Sequence, residues 1–291
     1  MKLSTRLPRL HPLVAVAASL VLPSMSMAQL VNYSTLGASY SQNFDGLSNA
    51  GSVTSVGVGR GPHAIQGHLG STGMNGWYMT NDRGTSTDTE FRAQDGSLSG
   101  STGRGVVSFG TTGSSDRALG ALGTSNQIST FGVYSTNTTG LNLSQVTVSF
   151  TGEQWRVGDT SITSEKLAFS YAVFNNLAGA SIGASVAGFN GISALDFNAP
   201  FTGTTLLNNS ALNGNSPTYQ ANLAQTFNLN WAPNQVLVLQ WVGFDLTGQD
   251  HGLGIDNLTF SAIPEPSIYA LVASTVTLGA VALRRRRAKL A

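Results

Sequence analysis

The chain has 291 residues, 34 of them glycine, with 41% hydrophobic and 10% charged side chains. That hydrophobic share suffices for a core and argues against a wholly disordered chain, and the glycine-rich, charge-poor balance suits a turn-rich all-β exported protein better than a helical cytosolic enzyme. Having no cysteine excludes disulfides, thiolate catalysis and cysteine-ligated zinc or iron–sulfur sites, and the charge distribution excludes a nucleic-acid binder: the basic residues gather at the two ends, leaving seven against fourteen acidic ones between Gln29 and Pro266.

In chain order, Lys2, Arg6 and Arg9 precede an apolar stretch from Leu13 to Leu22, which Pro23 breaks before Ser26-Met27-Ala28. A positive start, a short apolar run and small residues before a break predict a secretory signal helix over residues 1–28, cut by signal peptidase between Ala28 and Gln29. An exported domain is expected over residues 29–262.

Within it, period-two alternation marks strands. Short candidates lie at Gly76–Thr80, Thr89–Ala93, Gly105–Phe109, Ile128–Tyr134 and Gly254–Ser261. Val146, Val148 and Phe150 share one face against Gln145, Thr147 and Ser149; Leu167, Phe169, Tyr171 and Val173 repeat the pattern. Gln235 to Phe244 is apolar on both faces, as a central strand would be. Residues 176–191, rich in glycine, read as a long loop. Many short strands with turn-rich connections and no fixed-period repeat predict a β-sandwich of jelly-roll type.

Several residues in the domain invite chemistry. His63 and His68 flank Gly67 in a polar loop and would need a third ligand to hold a metal. Trp77, Tyr78 and Trp231 offer faces on which a sugar could stack, whereas Trp241 lies in the most apolar strand and reads as core. Glu153 and Glu165 could form a glycosidase pair if brought within a few ångströms, but Glu153-Gln154-Trp155-Arg156 reads more simply as a structural corner with Glu153 and Arg156 paired locally. Gly179-Ala180-Ser181-Ile182-Gly183 matches a nucleophile elbow, with Asp196 or Asp245 and then His251 following in hydrolase order; the strand–turn–helix context is missing. Asp45 near the first strand and Asp245, Asp250 and Asp256 around the last turn would form a Ca²⁺ site if the terminal strands pair; simple turn capping is the alternative.

The far end reads Pro264-Glu265-Pro266, then an uncharged stretch from Ser267 to Leu283, then Arg284, Arg285, Arg286 and Arg287. As a helix that stretch reaches roughly 25 Å, enough for a thin hydrocarbon core, and the arginines hold its end on the cytoplasmic side. A transmembrane helix is therefore expected within residues 263–291.

Those three ordered elements resemble the PEP-CTERM sorting signal. The resemblance implies recognition by an exosortase, cleavage near the Pro-Glu-Pro, and passage from the inner membrane to the cell surface or extracellular matrix, where such proteins are commonly linked with exopolysaccharide and biofilm material. A second resemblance rests on Tyr40-Ser41-Gln42-Asn43-Phe44-Asp45, Phe91-Arg92, Asp116-Arg117-Ala118-Leu119-Gly120, Phe150 to Arg156 and Gly254-Ile255-Asp256-Asn257. This order is similar to a module that recurs in bacterial surface proteins, which implies a β-sandwich of unassigned role and no transferable active site. Three functions compete: a structural or interaction protein of the surface or matrix, without catalysis; a carbohydrate-binding module for exopolysaccharide; and a secreted hydrolase.

Overall fold

The computed structural model describes residues 30–53, 56–57, 59–83, 90–123, 127–205, 207–265 and 278. The signal segment with Ala28 and Gln29, the apolar span apart from Leu278, Pro266 and Arg284 to Arg287 lie outside the described residues. No helix among the described residues is long and apolar enough to cross a membrane.

Among the described residues sixteen strands follow in order: β1 (Val31–Tyr33), β2 (Tyr40–Gln42), β3 (Ser52–Val53), β4 (His63–Ala64), β5 (Trp77–Arg83), β6 (Phe91–Gln94), β7 (Gly105–Phe109) and β8 (Ala118–Leu122). Then come β9 (Gln127–Asn137), β10 (Leu143–Arg156), β11 (Lys166–Phe174), β12 (Asn190–Gly191), β13 (Phe197–Asn198), β14 (Gln220–Trp231), β15 (Val236–Gly243) and β16 (Gly252–Ile263). One sheet, A, runs β12-β11-β15-β9-β5-β4, with β1 and β13 pairing at its sides; the other, B, runs β14-β10-β16-β8-β7-β6-β3, with β2 beside β16. Most pairings are antiparallel, but β1 with β9 and β6 with β7 are parallel, so both sheets are mixed.

The inward positions of the two sheets meet in one core. Val146, Val148 and Phe150 of β10 face Leu167 and Phe169 of β11 and Leu237, Leu239 and Trp241 of β15. Trp241 sits at its centre, with ring centroids at 6.0 Å from Trp77, 5.9 Å from Phe131, 5.5 Å from Phe150 and 5.2 Å from Phe169. Edge-on and offset contacts of this kind suit the aromatic quadrupole. Gly152 lets Phe197 enter, since a Cβ there would fall 2.2 Å from the Phe197 ring.

The apolar second face of β15 has its own cover. Residues 176–191 cross the outside of sheet A and drop Ile182 onto Tyr134, Val236 and Val238, with Leu177, Ala180 and Phe189 packed around them. Gly183 N–H donates to Gln240 Oε1 at 3.0 Å and Ala184 N–H to Asp82 Oδ2 at 3.2 Å, pinning the crossing.

Candidate functional site

The aromatic residues expected to meet a sugar are placed otherwise. Trp77 and Trp231 are both fully buried. Trp77 points inward from β5, edge-on to Phe44 at 4.8 Å, and donates Nε1–H to Tyr40 Oη at 2.9 Å. Trp231, at the end of β14, lies 5.6 Å from Tyr33 and donates to the Gln235 carbonyl at 2.9 Å. Neither has a ring face left for stacking. Tyr78, on the opposite face of β5, packs its ring 4.4 Å from Tyr134 beneath the crossing loop, and burial pushes its phenol pKa up.

The terminal strands do pair, β2 against β16 with Tyr40 opposite Phe260, yet the four aspartates are not gathered. Asp250 precedes β16 and Asp256 lies six residues along in the strand, roughly 20 Å away at strand rise. Asp45 accepts Asn43 Nδ2–H at 2.6 Å, and its charge helps to raise the Asp256 pKa. Among the described residues no group of three or more histidine or acidic side chains is arranged to hold a metal ion. The expected four-aspartate Ca²⁺ site is thus divided, because strand pairing brings the middle of β16 towards Asp45 and leaves its entry beside Glu165.

Two carboxyl clusters replace it. In the first, Glu165 stands just before β11 and is 7% exposed, and its Oε2 accepts His251 N–H at 2.7 Å. Burial, reinforced by the Asp250 and Asp245 charges and opposed by that hydrogen bond, pushes its pKa up to about 9. Asp250, 1% exposed, accepts Leu246 N–H at 2.9 Å, which closes the turn 246–250; burial raises its pKa, as does Asp245, with which it shares a hydrogen bond. His251 Nδ1 accepts Gly158 N–H at 2.7 Å, so the neutral ring carries its proton on Nε2, and burial lowers its pKa. Beside this cluster lies a cavity of about 350 Å³ lined by Ser164, Glu165, Lys166, Asn198, Phe244 and Leu246. Lys166 does not neutralise Glu165: its Nζ is bonded to Asp196 Oδ2 at 2.5 Å. A carboxyl that keeps its proton, such as Glu165 beside this cavity, can both donate and accept hydrogen bonds.

The second cluster lies on the outside of sheet B, where Thr151 is opposite Asp256 and Glu153 opposite Gly254. Glu153 accepts Trp155 Nε1–H and Gln220 Nε2–H, both at 2.9 Å; burial outweighs those bonds and raises its pKa to about 7. Asp256 is pushed up to about 8 by burial, with the Glu153, Asp116 and Asp45 charges adding to it. Glu153 therefore partners Asp256 and not Glu165. The expected Glu153–Arg156 pair is not made either: alternation turns Arg156 to the other face, where it donates to the Gly96 carbonyl at 3.1 Å and to Asn209 Oδ1 at 3.3 Å. Trp155 is buried, stacked 6.4 Å from Phe109.

From this cluster an uncharged ladder runs along the outside of β14, β10 and β16. Thr151 meets Asn222 at 3.0 Å, Ser149 meets Thr259 at 2.7 Å, Thr147 meets Thr226 at 2.8 Å and Gln145 meets Asn228 at 3.4 Å. Alternation in β10 made its hydroxyl face legible in the sequence; β14, which supplies Asn222, Thr226 and Asn228 to the ladder, was not expected at all.

The hydrolase residues stay apart. Ser181 belongs to the crossing loop outside sheet A, after a 3₁₀ turn at Leu177–Gly179, while His251 stands just before β16 of sheet B. Asp196 is engaged by Lys166 and by Phe169 N–H at 2.9 Å. His63 Nε2 lies 3.0 Å from the Gly59 carbonyl, and His68, in the turn His68–Gly70, is close enough for His63 to lower its pKa, although burial lowers it more.

No protein-family model matches the chain, and no curated protein does. Among solved structures, it is similar to the enzymatically active domain of tailspike protein 4 of bacteriophage CBA120 (9% identity, TM-score 0.32), over 72% of this chain and 21% of that one. It is also similar to the K2 cleaved adhesin domain of Lys-gingipain (12% identity, TM-score 0.30), over 77% of this chain and 98% of that one. The K3 cleaved adhesin domain of Lys-gingipain from Porphyromonas gingivalis is similar at 14% identity and TM-score 0.26, over 52% of this chain and 75% of that one. The chain spans about a fifth of the tailspike chain, and none of these likenesses extends a property to it.

Proposed function

We propose that the chain is an exported protein of the cell surface or extracellular matrix, processed by an exosortase at Pro264-Glu265-Pro266, whose jelly-roll-type sandwich acts by contact and without catalysis. One observation carries this reading: β16, which pairs with β10, β8 and β2 inside sheet B, runs to Ile263, and the motif begins at the next residue. Cleavage there leaves every strand of the sandwich in place. In a host that carries an exosortase, the surface-released product is expected to end near Pro264, and Glu265→Ala is expected to keep the tail and stay with the membrane. Equal masses in hosts with and without the enzyme sink the reading.

Contact with exopolysaccharide is the second reading, and what supports it is the uncharged hydroxyl and amide ladder rather than exposed aromatic rings. Retention of the chain on immobilised host exopolysaccharide, lost in Thr147→Lys, is the expected outcome; equal retention of wild type and variant removes it. A Ser181 or Glu153–Glu165 hydrolase has no geometric support among the described residues.

A further inference from the structure

Sheet edges expose unpaired backbone donors and acceptors, and folded proteins blunt them with very short strands, charges, prolines or bulges. Three of the four sheet ends described here taper in this way, to β12, β4 and β3, each of two residues. The fourth end of the two sheets is β14, twelve residues long, which among the described residues pairs with β10 on one side only. Its sequence, Gln-Ala-Asn-Leu-Ala-Gln-Thr-Phe-Asn-Leu-Asn-Trp, holds no charge, proline or glycine. One acceptor of the strand is already engaged: Tyr171, whose ring stacks on Phe227 at 4.5 Å, donates its Oη–H to the Asn228 carbonyl at 3.0 Å, a contact that an incoming strand shares or displaces.

We infer that the free edge of β14 pairs antiparallel with β14 of a second copy of this chain, joining two B sheets into one. Charge selects this occupant. Between Gln29 and Pro266 the chain carries twice as many acidic as basic side chains, so two copies repel on average, and residues 220–231 form a long strand edge with no charge to oppose another copy. The sequence is also self-complementary about Gln225. A two-fold axis there sets Asn222 opposite Asn228 and Ala224 opposite Thr226 on the outer face, and Leu223 opposite Phe227 and Ala221 opposite Leu229 on the inner one. Amides then meet amides and apolar side chains meet apolar ones, the pairing that stabilises antiparallel sheets. Gln225 Nε2–H now donates to the Thr226 carbonyl at 2.9 Å, and both residues are exposed; an incoming strand replaces that self-contact with a backbone one.

Sedimentation velocity of the full chain in density-matched mild detergent tests this. Wild type is expected to pass from monomer to dimer as concentration rises, and Ala224→Lys/Thr226→Lys, at two exposed positions, to remain monomeric with an unchanged circular dichroism spectrum. Should the lysine variant fail to fold, Gln225→Cys decides, because the chain has no other cysteine: paired residues of neighbouring strands lie within disulfide reach, and mild oxidation is expected to yield a covalent dimer. A wild type that stays monomeric at every concentration, a lysine variant that dimerises equally, or a cysteine variant that does not cross-link overturns the inference, the first outcome leaving the edge to a strand of another protein.

Discussion

Glu165 Oε2 accepts the backbone N–H of His251 at 2.7 Å across 86 residues, tying the entry of β11 in sheet A to the entry of β16 in sheet B. The bond crosses between the two sheets at a point where Asp245 and Asp250 also gather.

Stability is expected to fall as pH rises. Glu165 has a folded-state pKa near 9 against an ordinary 4.5, so its stabilising effect is complete below 4.5 and is lost as pH climbs through 9; Asp256, near 8, and Glu153, near 7, act in the same direction. Thermal melts across that range should show a falling melting temperature. Glu165→Gln, which keeps an acceptor for His251 N–H, should flatten the alkaline part of the curve and gain on the order of 1–3 kcal/mol there. A flat wild-type profile contradicts this account.

Trp77→Ala and Trp231→Ala should act as core truncations, each costing about 3–5 kcal/mol in denaturant unfolding. Exopolysaccharide retention per folded molecule should not change. Lost retention in a variant of undiminished stability would put these rings back at a surface.

Gly96→Ala should destabilise by roughly 2 kcal/mol or more, since Gly96 has a φ of +88° and a Cβ there would fall 1.9 Å from the Trp155 carbonyl oxygen. The same unfolding measurement checks it, and Gly113→Ala, at a similar positive φ with nothing within 4 Å, isolates the backbone strain from the clash.

Calcium and chelator are expected to leave the melting temperature unchanged, because the four aspartates lie in two separate groups. A rise with calcium that Asp250→Asn abolishes would show that the Glu165 cluster rearranges to take the ion.

How far the sequence could be read depended on burial contrast. Val146, Val148 and Phe150, and Leu167 with Phe169, alternate against small or polar neighbours and became strands as expected; the run from Gln235 became β15, central in sheet A. The strand β14 was invisible because Gln225 takes an inward position at a sheet edge and stays exposed there, which breaks the alternation. The small residues of β8, Ala118–Leu122, gave no face either, although all five are buried. For Trp77 and Trp231, being aromatic said nothing of which side of a strand they occupy. The carboxyl clusters needed strand register: Thr151 opposite Asp256 is a pairing of residues 105 positions apart, and nothing near either of them announces it.

The loop that lays Ile182 over Tyr134, Val236 and Val238 gives the molecule a back and a front. Behind it, sheet A is sealed on both sides where β9 and β15 run; in front, sheet B keeps its hydroxyl and amide ladder open to water. Whatever this protein meets, it can present the wet front and the border at β14 without first undoing its own packing.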